Sequence, residues 1–454
     1  MPTTPCIPEV RLDFHCDRRV DLCFDAPTAS VDGGVVLLRQ LDDRLGLTAS
    51  VTASVRDGRD PTRVTHTLHD LIRQRVFQIA LGYPDTNDAT RLRHDPAFKT
   101  ACDRLPADPL GLASQPTLSR LDTGVTGRDV VRLQRDLERA YVAELPADTS
   151  VVVLDLDATD DPTHGQQAFA FFNAHYDHHV FLPMLMFDGE GRLVSLRLRP
   201  GNAGAYRYTL PMVERVIRLL KARFPDVQIG VRGDGGFAAP RFLDGLERLD
   251  AELGGIDYVI GMPTNKVLER TTLPSLVQAW LHQVQTGKAA RVFTSFEYAA
   301  KSWSHRRLIV AKAEYLPLGA NPRFVVTTLA GFPPALLYEQ ASCGRGQAEN
   351  RIKDLKNALA ADRLSCSDYV ANAFRLLLHA VAYRLMCALR TEVATVAPTL
   401  ATVQFDTLRT TLLKVVALVR QSARRIVVAL PRAFGLAEVF QALARRFAVP
   451  APAS

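Results

Sequence analysis

The chain has 454 residues, 47% hydrophobic and 23% charged, with 55 Lys and Arg against 48 Asp and Glu. That usage excludes disordered, collagen-like and coiled-coil chains and allows two or three domains with a substantial core. The excess of seven positive charges favours an anionic partner, and seven cysteines without a C-x-x-C pair argue against a disulfide framework or structural zinc. No leader peptide or membrane-spanning run is evident, so a reduced, cytoplasmic protein is expected.

Residues 1 to about 60 mix short β-like runs, such as GVVLLRQL, with polar stretches. From about 60 to 147 the pattern is helical. HTLHDLIRQRVFQIALG places Leu68, Leu71, Ile72, Val76, Ile79 and Ala80 on one face at a period near 3.6. LASQPTLSRLD reads as a helix start, with Ser114 as cap and Pro116 in the first turn. The same stretch also fits a helix-turn-helix-like unit that would set Thr117, Ser119 and Arg120 on phosphates or bases.

Strand and helix signals alternate from 151 to about 262. VVVLDLDAT reads as a strand, VFLPMLMF and RLVSLRLR as a hairpin about DGEG, YTLPMVERVIRLLKARF as an amphipathic helix, and VQIGVRGD and DYVIGM as buried strands. This order predicts a mixed sheet covered by helices. Residues 263–330 look like a strand-rich insertion, and beyond Pro334 the chain reads as helical to its end. The expected division is an N-terminal, mainly helical region (1–147), an α/β core (148–262 with 331–395), a β-rich insertion (263–330) and a helical C-terminal region (396–454).

VVVLDLDATDDPTHG runs an apolar strand into five aspartates. Alternate strand residues share a face, so Asp155 and Asp157 lie about 7 Å apart on the same side. Two buried anions need a cation, and hard divalent ions take carboxylate oxygen. Asp234 ends a second buried strand in VQIGVRGDGGF, with Arg232 beside it as an expected DNA contact. In GRGQAENRIKDLKN, Arg345, Glu349 and Lys356 share one stripe of a helix within about 40°. Two acids from strands and one from a helix make a reasonable site for a pair of Mg²⁺ ions, with Mn²⁺ as a substitute, in a ribonuclease-H-like fold. Arg345 and Lys356, with Lys353, would then hold phosphate.

Two other readings compete at these residues. DLDAT also fits the D-x-D-x-T opening of haloacid-dehalogenase-like phosphatases, with Asp155 as nucleophile. His175, His178 and His179 in FNAHYDHHVF fit packing or nucleic-acid contact better than zinc, because no Cys or Glu stands at matching spacing.

SCGRGQAENRIKDLK resembles the Y-x2-R-x3-E-x6-K signature of the DDE transposases of bacterial insertion sequences, with Ser342 in the place of Tyr. GYPDTNDATRLRHDPAF, LASQPTLSRLD, LDLDATDDPTHGQ, FNAHYDHHVFLP, LRLRPGNAG, VRGDGGFA, DYVIGMP and RGQAENRIKDLKNAL, in that order, resemble the thirteen-eighty group of these elements. The resemblance implies a triad of Asp157, Asp234 and Glu349, with Asp157 preferred over Asp155 because Thr159 follows it closely. It further implies that Trp303 of the insertion stacks on a flipped base, with Arg306 and Arg307 alongside. The implied activity is metal-dependent cleavage and strand transfer at terminal inverted repeats. The implied partners are double-stranded DNA, both repeat and target, and a second copy of the chain; no nucleotide cofactor is expected. The protein would then be nucleoid-associated when bound to DNA. A DNA-binding descendant without catalysis is the alternative from this family.

Overall fold

The computed structural model describes residues 10–12, 20–22, 28–342 and 346–448. They form two compact units, one of 1–46, 64–118 and 388–454, the other of 47–63 and 119–387.

In the first unit the periodic stretch after His66 forms the helix Leu68–Ala80. Its start is held by a reciprocal cap. Thr67 Oγ1 accepts the Asp70 N–H at 3.1 Å, and the Asp70 carboxylate accepts the Thr67 N–H at 2.9 Å. Two elements differ from expectation. GVVLLRQL belongs to a helix, Val35–Leu45, because Val35, Leu38 and Leu41 recur at helical spacing and are all buried. The C-terminal region is only partly helical: Ala417–Gln421 and Ile426–Ala429 pair as an antiparallel hairpin, and Ala29–Ser30 joins its edge. The β-branched run in RRIVVAL after a polar turn favours strand there.

The second unit is mixed α/β. Helix α1 (Gly127–Glu144) leads into strand β1 (Val151–Ala158), hairpin β2 (Met184–Asp188) and β3 (Leu193–Arg197), and helix α2 (Leu210–Arg223). Strand β4 (Gln228–Gly233), helix α3 (Pro240–Leu253) and strand β5 (Ile256–Met262) follow. Helix α4 (Lys266–Thr286) precedes β6 (Ala290–Tyr298), β7 (Arg307–Leu316) and β8 (Arg323–Thr327). Helix α5 (Gly346–Lys353) and helix α6 (Tyr369–Val396) as far as residue 387 close this unit. Helix α1, which the sequence assigned to the N-terminal region, is part of this second unit.

The main sheet has the order β6-β7-β8-β5-β4-β1-β2-β3. Strands β1, β4 and β5 are parallel, and β2 and β8 run antiparallel to their neighbours in that trio. The strands of the expected insertion extend this sheet, and a 21-residue helix, α4, stands in front of them. Alternation in LERTTLPSLVQAWLHQ is helical, with Leu268, Thr272, Leu276 and Ala279 buried. Leu154, Leu156, Val231, Ile229, Ile260 and Tyr258 supply the centre of the core, covered by Val213, Val216 and Ile217 of α2 and Phe242 and Leu246 of α3. Among the described residues, no helix is long and apolar enough to cross a membrane.

Candidate active site

The carboxyl ends of parallel strands β1 and β4 lie side by side, because helix α2 makes the crossover between β3 and β4. Register pairs Leu154 with Val231 and Asp155 with Arg232. Two residues further along come Asp157, still within β1, and Asp234, the first residue past the end of β4, at the same edge of the sheet. Both are half-buried. Asp234 starts a tight turn in which its Oδ1 accepts the Gly236 N–H at 2.8 Å. That turn lies on β5, where a side chain at Gly261 would place its Cβ 2.8 Å from the Gly235 nitrogen. Glycine at 261 therefore lets the Asp234 turn seat against the sheet.

Tyr176 senses this corner. Burial first, and then the negative charges of Asp160, Asp157 and Asp234, push its hydroxyl above the usual phenol range. The loop carrying Tyr176 lies between the short strands Phe171–Asn173 and His178–Phe181, which pair with each other.

Asp155, the rival of Asp157, is 1% exposed and committed to structure. Arg232 grips both its oxygens, Nε to Oδ1 at 2.6 Å and Nη2 to Oδ2 at 2.7 Å. Arg351 approaches the same carboxylate at 3.5 Å. Arg232, expected on DNA, thus neutralises a buried neighbour of the site. A nucleophilic Asp155, as a phosphatase would need, is incompatible with this clamp.

Helix α5 carries Glu349, whose side chain lies outside the described residues, as does all of Arg345. The helix is pinned beside β1 at two later positions. Buried Arg351 donates to the carbonyl oxygens of Asp188 and Gly189 at 2.6 and 2.7 Å, as well as facing Asp155. Lys356 donates to the Asp160 carbonyl at 2.8 Å, to its carboxylate at 2.9 Å and to Thr159 Oγ1 at 3.3 Å. Lys356, expected to hold phosphate, here fastens the turn after α5 to the end of β1. Lys353 is exposed.

The remaining expected contacts are scattered. Trp303 is only 9% exposed, with Tyr298 5.5 Å from its ring and the Arg307 guanidinium 5.0 Å above it. Its ring is a packed core aromatic, without the open face that base stacking needs. Arg307 is buried and held by Asp244 at 2.5 Å and by both oxygens of Glu247 at 2.6 and 2.7 Å. Asp244, Glu247 and His305 bring potential ligand atoms within 4.8 Å of one another, but the carboxylates already serve Arg307. Arg306 is exposed and leans on Glu297. Arg120 is exposed on the helix Gln115–Gly124, and Thr117 on the same helix exchanges a 3.1 Å hydrogen bond with Ser114. His178 lies 3.6 Å from Asp160, and His175 and His179 pack on Tyr176 and Phe172.

Sequence reasoning missed Arg351 and Arg199. Fully buried Arg199 donates to the carbonyl oxygens of Leu182, Gly204, Ala205 and Arg207 at 2.6–3.1 Å, which shapes the loop that meets the Asp234 turn through Ala205. Burial lowers its pKa to about 10. The signal for Arg351 was its place two residues after Glu349, on the opposite side of the helix from the expected phosphate stripe. LRLRPGNAG offered no means of telling Arg199 from Arg197.

Asp161 adds a pH-sensitive element. It is 1% exposed, and among the described residues neither carboxylate oxygen has a hydrogen-bond partner. Burial, then the charge of Asp362, raises its pKa from 3.8 to about 8, with Lys356 opposing. The folded state therefore holds this proton after the unfolded chain has lost it. Its stabilisation is full below pH about 4 and is lost as pH rises to about 8. Asp161→Asn is expected to flatten the fall in melting temperature between pH 5 and 8; an unchanged slope would disprove the assignment.

Residues 13–449 match the family model described as transposase DDE domain group 1. Among solved structures, the chain is similar to one titled as a cryo-EM structure of a piggyBac transposase synaptic complex with hairpin DNA. The identity is 12% and the TM-score 0.41, over 92% of this chain and 86% of that one. Comparison with curated proteins gives no match.

Proposed function

The chain belongs to the family of DDE transposase domains of group 1, and from that premise we propose that it is the transposase of a bacterial insertion sequence. It binds the terminal inverted repeats of its element as a dimer, cuts at the ends and joins the freed 3′-hydroxyl to target DNA. The observation that carries this reading is the placement of Asp157 near the end of strand β1 and of Asp234 directly after its parallel neighbour β4, with the Glu349 helix fastened alongside through Arg351 and Lys356.

The strand order β3-β2-β1-β4-β5, with β2 antiparallel, supports a ribonuclease-H-like core. Asp157, Asp234 and Glu349 would hold divalent metal, Mg²⁺ or Mn²⁺, as two ions; the all-carboxylate donor set at a half-buried strand end suits such hard cations. When bound there, the ions supply Lewis-acid stabilisation of the attacking and leaving oxygens of a phosphodiester. The chain's own part is to orient. Arg232 and Arg351 cancel the charge of Asp155, so that the negative potential at the strand end comes from the carboxylates that face the site. Lys356 holds Asp160 and Thr159 against the end of α5, which sets the distance between Glu349 and β1. Arg345 and exposed Lys353 are left to meet the DNA backbone.

An end-cleavage assay on a labelled inverted-repeat duplex tests the proposal. Cutting is expected with Mg²⁺, none after chelation, and none from Glu349→Gln. Undiminished cutting by Glu349→Gln, or in the presence of chelator, would overturn it.

A further inference from the structure

Helix α4 is apolar on two opposite sides. One side, Leu268, Thr272, Leu276 and Ala279, is buried against β6 and β7. The other presents Leu273, Val277, Trp280, Leu281 and Val284 to solvent, with exposures from 43% at Val277 and Trp280 to 60% at Val284. At 100° per residue this second stripe lies about 130° round from the first. A surface helix ordinarily carries charge there. Between Thr271 and Thr286 there is no Asp, Glu, Lys or Arg.

The exposed side chains leave on the order of 500 Å² of contiguous apolar surface in water, the size of patch that on a monomer is often functional. A face without cations does not fit the phosphate backbone of DNA, which is held by neutralising charge. Its spacing instead fits another helix: Leu273, Val277, Trp280 and Val284 recur at intervals of four, three and four, the seam of paired helices.

The geometry points to a second copy of this chain as the occupant, with α4 pairing antiparallel to itself about a twofold axis between residues 278 and 279. In that arrangement Val277 meets Trp280 of the other copy and Leu273 meets Val284, so each large side chain faces a smaller one. The same axis brings Glu269, in the first turn of one helix, to the carboxyl end of the other, where Lys288 follows directly after the Gly287 cap. Both residues are exposed. A self-complementary patch is what a twofold interface requires. Its apolar centre, with Gln278, His282 and Gln285 at the rim, approaches the roughly 800 Å² per partner of a stable interface. The inference concerns association without DNA and does not depend on the catalytic reading.

Sedimentation velocity of the full chain, free of DNA and over a range of concentrations, tests it. A reversible dimer is expected. Trp280→Glu should weaken it by at least about tenfold, because a charge is then buried at the centre of the seam, while the thermal melt of the exposed-site variant stays unchanged. Glu269→Lys should also weaken it, and Glu269→Lys with Lys288→Glu should restore it. Mixing Val277→Cys chains with Trp280→Cys chains should give a disulfide between the two. A monomer at all concentrations, a dimer indifferent to Trp280→Glu, or a cross-link formed only between two Val277→Cys chains would each overturn the assignment. Pairing that persists in Glu349→Gln, which is expected to lose cleavage, supports this inference apart from the catalytic reading.

Discussion

Asp157→Asn is expected to reduce end cleavage about a thousand-fold while leaving both folding and binding of inverted-repeat DNA close to wild type. Asparagine keeps the shape of the side chain and removes one unit of charge. At about 4 Å and an effective dielectric near 20, a unit charge interaction is worth about 4 kcal/mol. Each 1.36 kcal/mol of lost transition-state stabilisation is a tenfold loss in rate. The fold should tolerate the change, because Asp157 is half-buried at a strand end beside another carboxylate, Asp234, whose repulsion is relieved. Single-turnover cleavage with Mg²⁺, a thermal melt and a filter-binding curve on the same preparation check the three parts. Asp234→Asn should behave alike, with one addition: amide in place of carboxylate weakens the acceptor for the Gly236 N–H. Rates within tenfold of wild type for Asp157→Asn would remove it from the site.

Period and alternation carried the α/β unit well. VVVLDLDAT, RLVSLRLR and the buried strands before Asp234 and through Met262 stand where alternation and turn residues placed them, because each is a local pattern with a buried face, whereas VFLPMLMF is split: Val180 and Phe181 belong to the short strand His178–Phe181 and Met184 onward to β2. GVVLLRQL and LERTTLPSLVQAWLHQ were harder. The first has too few polar residues for either period to show. The second is apolar on two sides, which blurs the helical signal. The RRIVVAL strand pairs with a partner whose edge is closed by Ala29 and Ser30, hundreds of residues earlier, and no local pattern carries that information.

At the site, the residue types were readable and their assignments were less so. Asp155 and Asp157 share a face and a motif; what separates them is Arg232, which register on β4 sets opposite Asp155. Lys356 looks like a phosphate ligand in one dimension because it follows Glu349 on the same stripe. In three dimensions the turn after α5 brings it over Asp160. Trp303 and Arg307 appeared as an aromatic and cation for a nucleic acid, and they are a cation–aromatic pair within the unit, with Asp244 and Glu247 as the counter-charge. A basic residue in a sequence advertises charge, but only the fold says whether a carboxylate has already taken it.

Asp155→Asn should therefore have the opposite profile from Asp157→Asn: a stability loss of about 3–5 kcal/mol, the range for removing one partner of a buried ion pair. Arg232, which now grips both Asp155 oxygens, would face one amide oxygen and one amide N–H, a donor against its own donors. Arg351 would lose the same counter-charge, although its bonds to the Asp188 and Gly189 carbonyls keep it in place. Urea denaturation gives the loss directly, as a lower midpoint with an unchanged slope. Below the new midpoint the surviving folded fraction should still cut DNA at a measurable rate, because the carboxylates that face the site remain. Arg232→Met is the companion variant. It leaves Asp155 buried against Arg351 alone and should cost a comparable amount, while Asp155→Asn with Arg232→Met should cost less than the sum of the two, since the lost interaction is then counted once. A wild-type urea midpoint for Asp155→Asn, together with abolished cutting, would exchange the roles of the two aspartates and make Asp155 the residue that serves catalysis.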